Sequence, residues 1–377
     1  MSRGPDDVVI AGAGPAGSIA AIVLARAGVR VRLLDRARFP RPKLCGDTIN
    51  PGARAVLDRL DLAASTAGGL PIDGMLVTGE SGAGVAGRYG GGVQGLAIER
   101  ARFDAALVAA ALDAGAQFDQ AIVRGPLTDG DGVTGVIVVG RGGAARELRA
   151  RLVIAADGAS SRLARALRLA RHPPAPRRWA IGAYFTGVDG VTALGEMHVR
   201  AGRYIGVAPL PGGLANACVV SADRRVIRRA AASLREVLRE DPRLRERFAD
   251  ARMVSRPVCL GPLAVESDAC GVPGCLLAGD AAGFVDPMTG DGLRFALRGA
   301  ELAAMAVLED LQHGAGQGHE RLAGWRRREF GAKRRFNRAL RALVASPPAV
   351  RVAACGAAWL PAPLQWAIRY AGDLHAT

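Results

Sequence analysis

Apolar and polar positions along this chain fall into blocks whose period changes. Residues 8–11 are a short continuous apolar run, which suits a strand buried on both faces, and residues 18–27 follow with a pattern that suits a helix. A second run at 29–35 reads as a neighbouring strand, so the chain opens as strand, helix, strand. From 116 to 156 the pattern predicts a β-meander leading into a parallel strand, with turns at Asp129-Gly-Asp-Gly132 and Gly142-Gly143. Four alternating segments, 179–185, 195–199, 204–209 and 214–220, predict an antiparallel sheet, backed by a helix over 224–239. Near the end, 275–280 reads as a short parallel strand. A long helix then opens at Gly292, with an apolar stripe of Leu293, Ala296, Leu297, Ala300, Ala304, Val307 and Leu311.

This order predicts an α/β fold, with a Rossmann-like nucleotide-binding domain of parallel strands and a second domain built on an antiparallel sheet. No low-complexity linker and no internal repeat separates the parts, so the domains interleave. Residues 1–70, 95–170 and 256–312 fall to the nucleotide-binding domain, 71–94 and 171–255 to a substrate domain, and 313–377 to a helical C-terminal segment.

The chain has 377 residues, half of them hydrophobic, which is enough to bury the core of two or three domains. No uninterrupted apolar run reaches about 18 residues, and the first apolar stretch is the opening strand rather than a signal peptide. A soluble cytoplasmic protein is the expectation. Six cysteines, Cys45, Cys218, Cys259, Cys270, Cys275 and Cys355, are too scattered for a secreted disulfide framework. Cys270 and Cys275 read as small core residues rather than a redox pair. The formal net charge is +15, and lysine occurs only at 43 and 333, so arginine is strongly favoured throughout. The charge concentrates over 321–341, where Arg326 to Arg328, Lys333 to Arg335, Arg338 and Arg341 alternate with Trp325, Phe330, Phe336, Leu340 and Leu343. The reading preferred is a helix laid over the nucleotide domain with a solvated arginine face, making at most peripheral membrane contact and no contact with nucleic acid. Residues 347–370, with Trp359, Leu360, Leu364, Trp366 and Ile368, could cap a substrate cavity, meet a second subunit or touch lipid.

Gly12, Gly14 and Gly17, with Pro15 and Ala16 between them, lie between the first strand and the first helix. In that context Gly12 allows a tight turn, Gly14 a close approach to a pyrophosphate, and Gly17 close packing of helix on strand. Asp35 ends the second strand 18 residues beyond Gly17, the place of a carboxylate that binds ribose hydroxyls, with Arg36 beside it. Gly279-Asp280 ends the late strand, and Pro287-Met-Thr-Gly290-Asp291-Gly292-Leu293 opens the long helix, whose N-terminus would stabilise a negatively charged ring.

With these segments in view, the chain resembles the family of FAD-dependent aromatic hydroxylases, geranylgeranyl reductases and flavin halogenases, over roughly residues 6 to 345. The resemblance implies a glutathione-reductase-type FAD domain of the kind found in aromatic hydroxylases, with Asp280 at the ribityl or pyrophosphate region and the Gly290–Gly292 turn at the isoalloxazine. Phe39-Pro-Arg-Pro-Lys43-Leu-Cys45-Gly46 looks like the Lys-x-Cys-Gly segment of the geranylgeranyl-reductase branch, which lies beside the flavin; Cys45 is either a working residue there or a packing residue. Glu99-Arg100 matches a helix start bearing an FAD-contacting arginine, and Asp157-Gly158 matches an FAD-contacting Asp-Gly motif. The arginine that hydroxylases carry seven positions after that aspartate is Ala164 here, with Arg165 next.

The stretch Tyr204-Ile-Gly206-Val-Ala208-Pro209 stands where geranylgeranyl reductases resemble Tyr-x-Trp-x-Phe-Pro and halogenases Trp-x-Trp-x-Ile-Pro; both aromatic patterns are missing. Neither Lys43 nor Lys333 is suitably placed to be a halogenase lysine. The resemblance therefore implies an FAD-dependent monooxygenase, acting through a flavin C4a-hydroperoxide on an aromatic or polyketide-like small molecule, since small residues opposite the flavin suit a ring. The alternative is an FAD-dependent reductase of isoprenoid C=C bonds. No second Gly-x-Gly-x-x-Gly follows a strand, so NAD(P)H would bind transiently in a shared cleft, or a separate reductase would supply electrons. His198 and Tyr204, on adjacent strands expected to face the flavin, are the candidates for orienting substrate.

Overall fold

The computed structural model describes residues 6–374 apart from 81–83, 131, 141, 175–176, 315, 347, 350–351, 353–355 and 357–361. Trp359, Leu360 and Cys355 thus lie outside the described residues. Helices are labelled in chain order as α1 (Pro15–Arg26), α2 (Pro51–Arg59), α3 (Arg100–Asp113), α4 (Arg162–Ala166), α5 (Ala230–Glu240), α6 (Gly292–His313), α7 (Gly318–Ala345) and α8 (Ala362–Ala371).

The strand Asp6–Ala11 sits centrally in a parallel sheet because it pairs on one side with Val31–Asp35 and on the other with Ala145–Ala155. Its residues Val8 to Ala11 have no solvent exposure, as a continuous apolar run in a covered parallel sheet requires. Gln117–Gln120 and Cys275–Leu277 extend the sheet in the same direction at its two sides. The strand Ala145–Ala155 serves twice: its first half closes the meander Ile122–Asp129 and Gly132–Val139, and its second half joins the parallel sheet. Helix α1 is buried on most of its circumference, packed between this sheet and α3 and α6. That arrangement explains why its sequence carries so little polar patterning.

The second sheet runs in the order Arg252–Met253, Trp179–Thr186, Leu214–Ser221, Arg203–Leu210, Leu194–Arg200, Gly74–Thr78, Gly84–Arg88. Gly74–Thr78 pairs parallel with Leu194–Arg200, which brings the early insertion into the later domain. Val258–Leu260 also pairs here, with Ala180–Gly182, so the boundary expected at 256 falls inside this sheet. One face carries Ile181, Phe185, Ile205, Val207 and Val219 against α5. The other carries Ala180, Met197, Val199, Tyr204 and Val220 against Leu263 and Met288 of the nucleotide domain.

Helix α7 buries Leu322, Arg326, Phe330, Lys333 and Asn337, while Arg327, Arg328, Arg335 and Arg338 are exposed. Helix α8 docks on Gly84–Arg88, where Ile368 lies over Gly87, and Trp366 stacks on Tyr370 at 5.1 Å. Among the described residues no helix is long and apolar enough to cross a membrane.

Candidate active site

Three segments meet at the carboxyl ends of the parallel strands. Gly12 has φ +99°, and a Cβ on it would lie 2.4 Å from the Ala156 carbonyl oxygen. A Cβ on Gly17 would lie 1.7 Å from the Gly12 oxygen, so these two positions admit only glycine. Around Gly14 the nearest atom is Arg41 Nη2 at 3.6 Å, which leaves the backbone open to a ligand. Helix α1 begins with Gly14 as its N-cap and Pro15 in its first turn, and no side chain caps it. Its free N–H groups and positive dipole end face that opening. Gly279, at φ +60°, would place a Cβ 2.8 Å from Ala16, so the Gly279-Asp280 turn closes directly on the start of α1.

The carboxylates here have distinct surroundings. Asp35 accepts from Ala13 N at 2.9 Å and Ala37 N at 2.8 Å, which fixes the glycine turn from behind, while Arg36 is exposed at the strand's outer end. Asp157 accepts from Arg162 N at 2.8 Å through one oxygen, whereas its other oxygen is buried with no hydrogen-bond partner. Burial raises Asp157 above the ordinary range. Gly158 follows with φ +80°. Burial likewise raises Asp280, with Lys43 and Arg100 offsetting part of the effect. Burial lowers Lys43, Asp280 opposes this, and Arg100 and Arg41 push it further down. Arg41, Lys43 and Arg100 thus gather beside Asp280 and the open Gly14 backbone. An uncapped helix start, an orphaned buried acceptor at Asp157 and this cluster of cations fit FAD: the cations and helix N–H groups match the pyrophosphate, and the carboxylates match its hydroxyls.

The 43–50 segment crosses from this cradle to the second sheet. Leu44 packs on Gly182, where a Cβ would lie 2.7 Å from its Cδ1. Asn216 donates through Nδ2 to the Cys45 carbonyl at 2.6 Å and also to Asp47. Asp47, left-handed at φ +55° and 1 % exposed, accepts Arg100 N at 3.0 Å and lies near the Tyr184 hydroxyl. Burial pushes its carboxyl up to about 7, against the pull of Arg100, Tyr184 and Asn216. Arg100 reaches Asp104 at 2.8 and 3.1 Å, and burial raises the Cys45 thiol despite Arg100 nearby. Cys45, Gly46 and Asp47 are therefore clamped at the seam between the domains.

At the other side of the cradle, Gly290 at φ +68° turns the chain from Pro287–Thr289 into Gly292 and Leu293 at the start of α6. Asp291 does not cap the helix. Its carboxylate binds Asn50 at 3.2 Å, Asn337 at 3.1 Å and Lys333 at 3.2 Å, and burial pushes it up to about 6 with Lys333 opposing. The α6 N-terminus is thereby left without a side-chain cap, and α7 is fastened to it.

The pairing Val199↔Tyr204 puts His198 and Tyr204 on opposite faces of the sheet, because side chains alternate along a strand. The expectation that both face the flavin is thus corrected for His198. It lies on the α5 side, with Thr78 Oγ1 2.9 Å from Nδ1 and Glu196 2.9 Å from Nε2, and Glu196 is held in turn by Arg247. Burial opposes ionisation of Glu196, but Arg247 and His198 keep it below its ordinary range. Tyr204 faces the nucleotide domain, and its hydroxyl donates to Asp286 at 2.6 Å, where Arg178 also binds. It anchors the turn before Pro287. Opposite the seam, Gly206 has open space, since a Cβ there would meet nothing nearer than 3.9 Å.

Sequence reading passed over Arg41 and Asp47. Two cations within three residues of a proline-rich loop, and an aspartate directly after Cys-Gly, were the available signals.

Residues 6–255 match the FAD binding domain family. The chain belongs to that family. It is an FAD-dependent oxidoreductase of the geranylgeranyl-reductase and aromatic-hydroxylase superfamily. Among its relatives is digeranylgeranylglycerophospholipid reductase 2 of Methanopyrus kandleri, 33% identical over 81% of this chain and 78% of that protein. Another is menaquinone reductase of Mycolicibacterium smegmatis, 32% identical over 79% and 75%. Two solved structures share the fold of this flavoprotein. One is a triple mutant of the flavin-dependent brominase Bmp2, with TM-score 0.84 and 20% identity over 97% and 94% of the two chains. The other is a geranylgeranyl bacteriochlorophyll reductase-like protein of Thermoplasma acidophilum, with TM-score 0.80 and 23% identity over 92% and 89%.

Proposed function

We propose that this flavoprotein reduces isoprenoid C=C bonds in a prenylated lipid or quinone. The observation that carries the reading is the clamped 43–47 segment: Leu44 on Gly182, the Cys45 carbonyl on Asn216 and Asp47 on Arg100 hold Cys45 where the cradle meets the second sheet. The two relatives above, named as reductases of a digeranylgeranylglycerophospholipid and of menaquinone, support the same chemistry. When bound, FAD supplies the electron pair, received from NAD(P)H or from a separate reductase.

In this reading the protein positions and encloses. The uncapped start of α1 and the cations Arg41, Lys43 and Arg100 hold the phosphates, and the Lys333–Asp291 pair fixes the turn at the start of α6. On this reading Cys45 and Gly206 face the substrate, and the apolar cluster of Leu44, Met197 and Met288 beside them shields them from water. Hydroxylation of an aromatic or polyketide-like molecule is the second reading. The open space over Gly206 favours it, because a ring fits where an aromatic pair would grip a chain. The test is anaerobic incubation of the reduced, FAD-loaded protein with a geranylgeranylated lipid and with a menaquinone. Products gaining two hydrogens per double bond support reduction. Unchanged prenyl chains there, together with oxygen from labelled dioxygen entering a phenolic substrate in a parallel aerobic incubation, would replace the reading by the second.

A further inference from the structure

Buried and half-buried arginines in this protein are generally matched by carboxylates: Arg100 by Asp104, Arg178 by Asp286 and Arg200 by Asp241 among the buried, and Arg247 by Glu196 and Arg294 by Glu329 and Asp373 among the half-buried. Arg326 and Arg334, on the inner side of α7, depart from this rule. Among the described residues neither has an acid within ion-pair distance. Arg326 is 5% exposed; its Nη2 donates to the Ala282 carbonyl at 3.3 Å and its guanidinium lies 5.4 Å from the Phe330 ring centre, while Nε and Nη1 have no hydrogen-bond partner. Arg334 is half-buried, with no hydrogen bond or ion pair among the described residues, and Arg338 follows it one turn later at the surface.

The chain makes room for both guanidinium groups. A Cβ on Gly299 would come within 2.6 Å of Arg326 Nη1, and a Cβ on Gly283 within 3.0 Å of Arg334 Nη2. An arginine does not relieve burial by losing its proton, so an unmatched buried guanidinium calls for a counter-ion. Burial pulls both groups below the ordinary arginine value, Arg334 adds to the effect on Arg326 and Arg338 to that on Arg334, and the neighbouring Cys270 offsets only part of it, since a thiol carries little charge at neutral pH.

We propose that the seam between α7 and the 282–283 turn binds a phosphate-bearing anion, gripped by Arg334 and Arg338 with Arg326 behind them. Three cations without an acid suit a doubly charged group, and guanidinium pairs match phosphate oxygens in geometry. The site adjoins the turn that carries Asp280, and it stands whichever bond the flavin reduces.

The test uses the FAD-loaded full chain, so that the dinucleotide cradle is filled, unfolded thermally in chloride at constant ionic strength while inorganic phosphate is added. The expected result is a saturable rise in Tm of roughly 2 °C at about ten times Kd. Arg334→Gln should abolish the rise, and Arg327→Gln, at an exposed position, should keep it. Arg326→Met should fold at least as stably as the native chain in phosphate-free buffer, because it removes an unmatched charge, and should respond weakly to phosphate. No rise in the native protein, or an equal rise in Arg334→Gln, overturns the proposal. Two further probes identify the source of the phosphate. Retention on phosphatidylglycerol but not phosphatidylcholine vesicles, lost in Arg334→Gln, supports a lipid headgroup; a rise in Tm with glycerol phosphate or NADPH and no vesicle retention supports a soluble ester.

Discussion

Replacing Asp47 by asparagine should change how the stability of this flavoprotein depends on pH. The Asp47 carboxyl is raised from 3.8 to about 7, chiefly by burial. A carboxyl raised in the folded state contributes stability that is fully present below its unfolded value and is lost as pH rises through the folded value. The interval from 3.8 to about 7, at about 1.36 kcal/mol per pH unit, comes to roughly 4 kcal/mol. The side chain introduced by Asp47→Asn would not titrate, and asparagine tolerates the left-handed backbone that Asp47 adopts at φ +55°. Its amide group would, however, meet donors from Arg100 N and Asn216, a pH-independent loss of about 1–3 kcal/mol. The native protein should therefore be the more stable at about pH 4, and its advantage should shrink or reverse by about pH 8. Urea unfolding of both FAD-loaded proteins across this range measures the difference, and the other raised carboxyls, such as Asp291, cancel between them. Parallel pH profiles would refute the assignment of a raised carboxyl to Asp47.

Two further sets of substitutions separate packing from binding. Gly17→Ala puts a methyl 1.7 Å from the Gly12 oxygen, so both the melting temperature and FAD affinity should fall, the latter by roughly tenfold or more; Gly14→Ala, where the nearest atom is 3.6 Å away, should weaken FAD binding, read by fluorescence titration, while flavin-free stability stays within about 0.5 kcal/mol of native. His198→Ala should cost about 1–3 kcal/mol of stability, because it empties a buried site and removes one hydrogen bond each from Glu196 and Thr78, which keep Arg247 and Arg200 as partners, yet leave the rate of flavin reoxidation by substrate unchanged; a large loss of rate at unchanged stability would return His198 to the substrate face.

The strands at 6–11, 150–155 and 275–277 were legible as largely apolar runs, a pattern that doubly covered strands produce, whereas Gln117–Gln120, expected at the start of the meander, pairs parallel with Val31–Asp35 as a half-polar outer strand. The glycine positions were equally readable, since Gly12 and Gly17 fail with any side chain. The partners of the acids were not. Asp47 is reached by Asn216, 169 residues on, and Asp291 by Lys333 and Asn50, contacts that no local spacing encodes. His198 was misassigned for a related reason: the relative register of two strands decides which face a residue takes, and one residue of offset reverses it. The arginine-rich helix was read as a solvated face, and part of it is; the buried Arg326 and Lys333 depend on the packing of α7 against α6 and α8.

The most direct measurement of the proposed reaction is a stopped-flow comparison of two reoxidations of the reduced, FAD-loaded protein, one by a geranylgeranylated lipid without oxygen and one by dioxygen without lipid. The lipid is expected to reoxidise the flavin anaerobically, with loss of a prenyl double bond for each flavin turned over. A flavin that stays reduced with the lipid, and that in the dioxygen arm passes through a C4a-oxygen adduct before reoxidising, would contradict it.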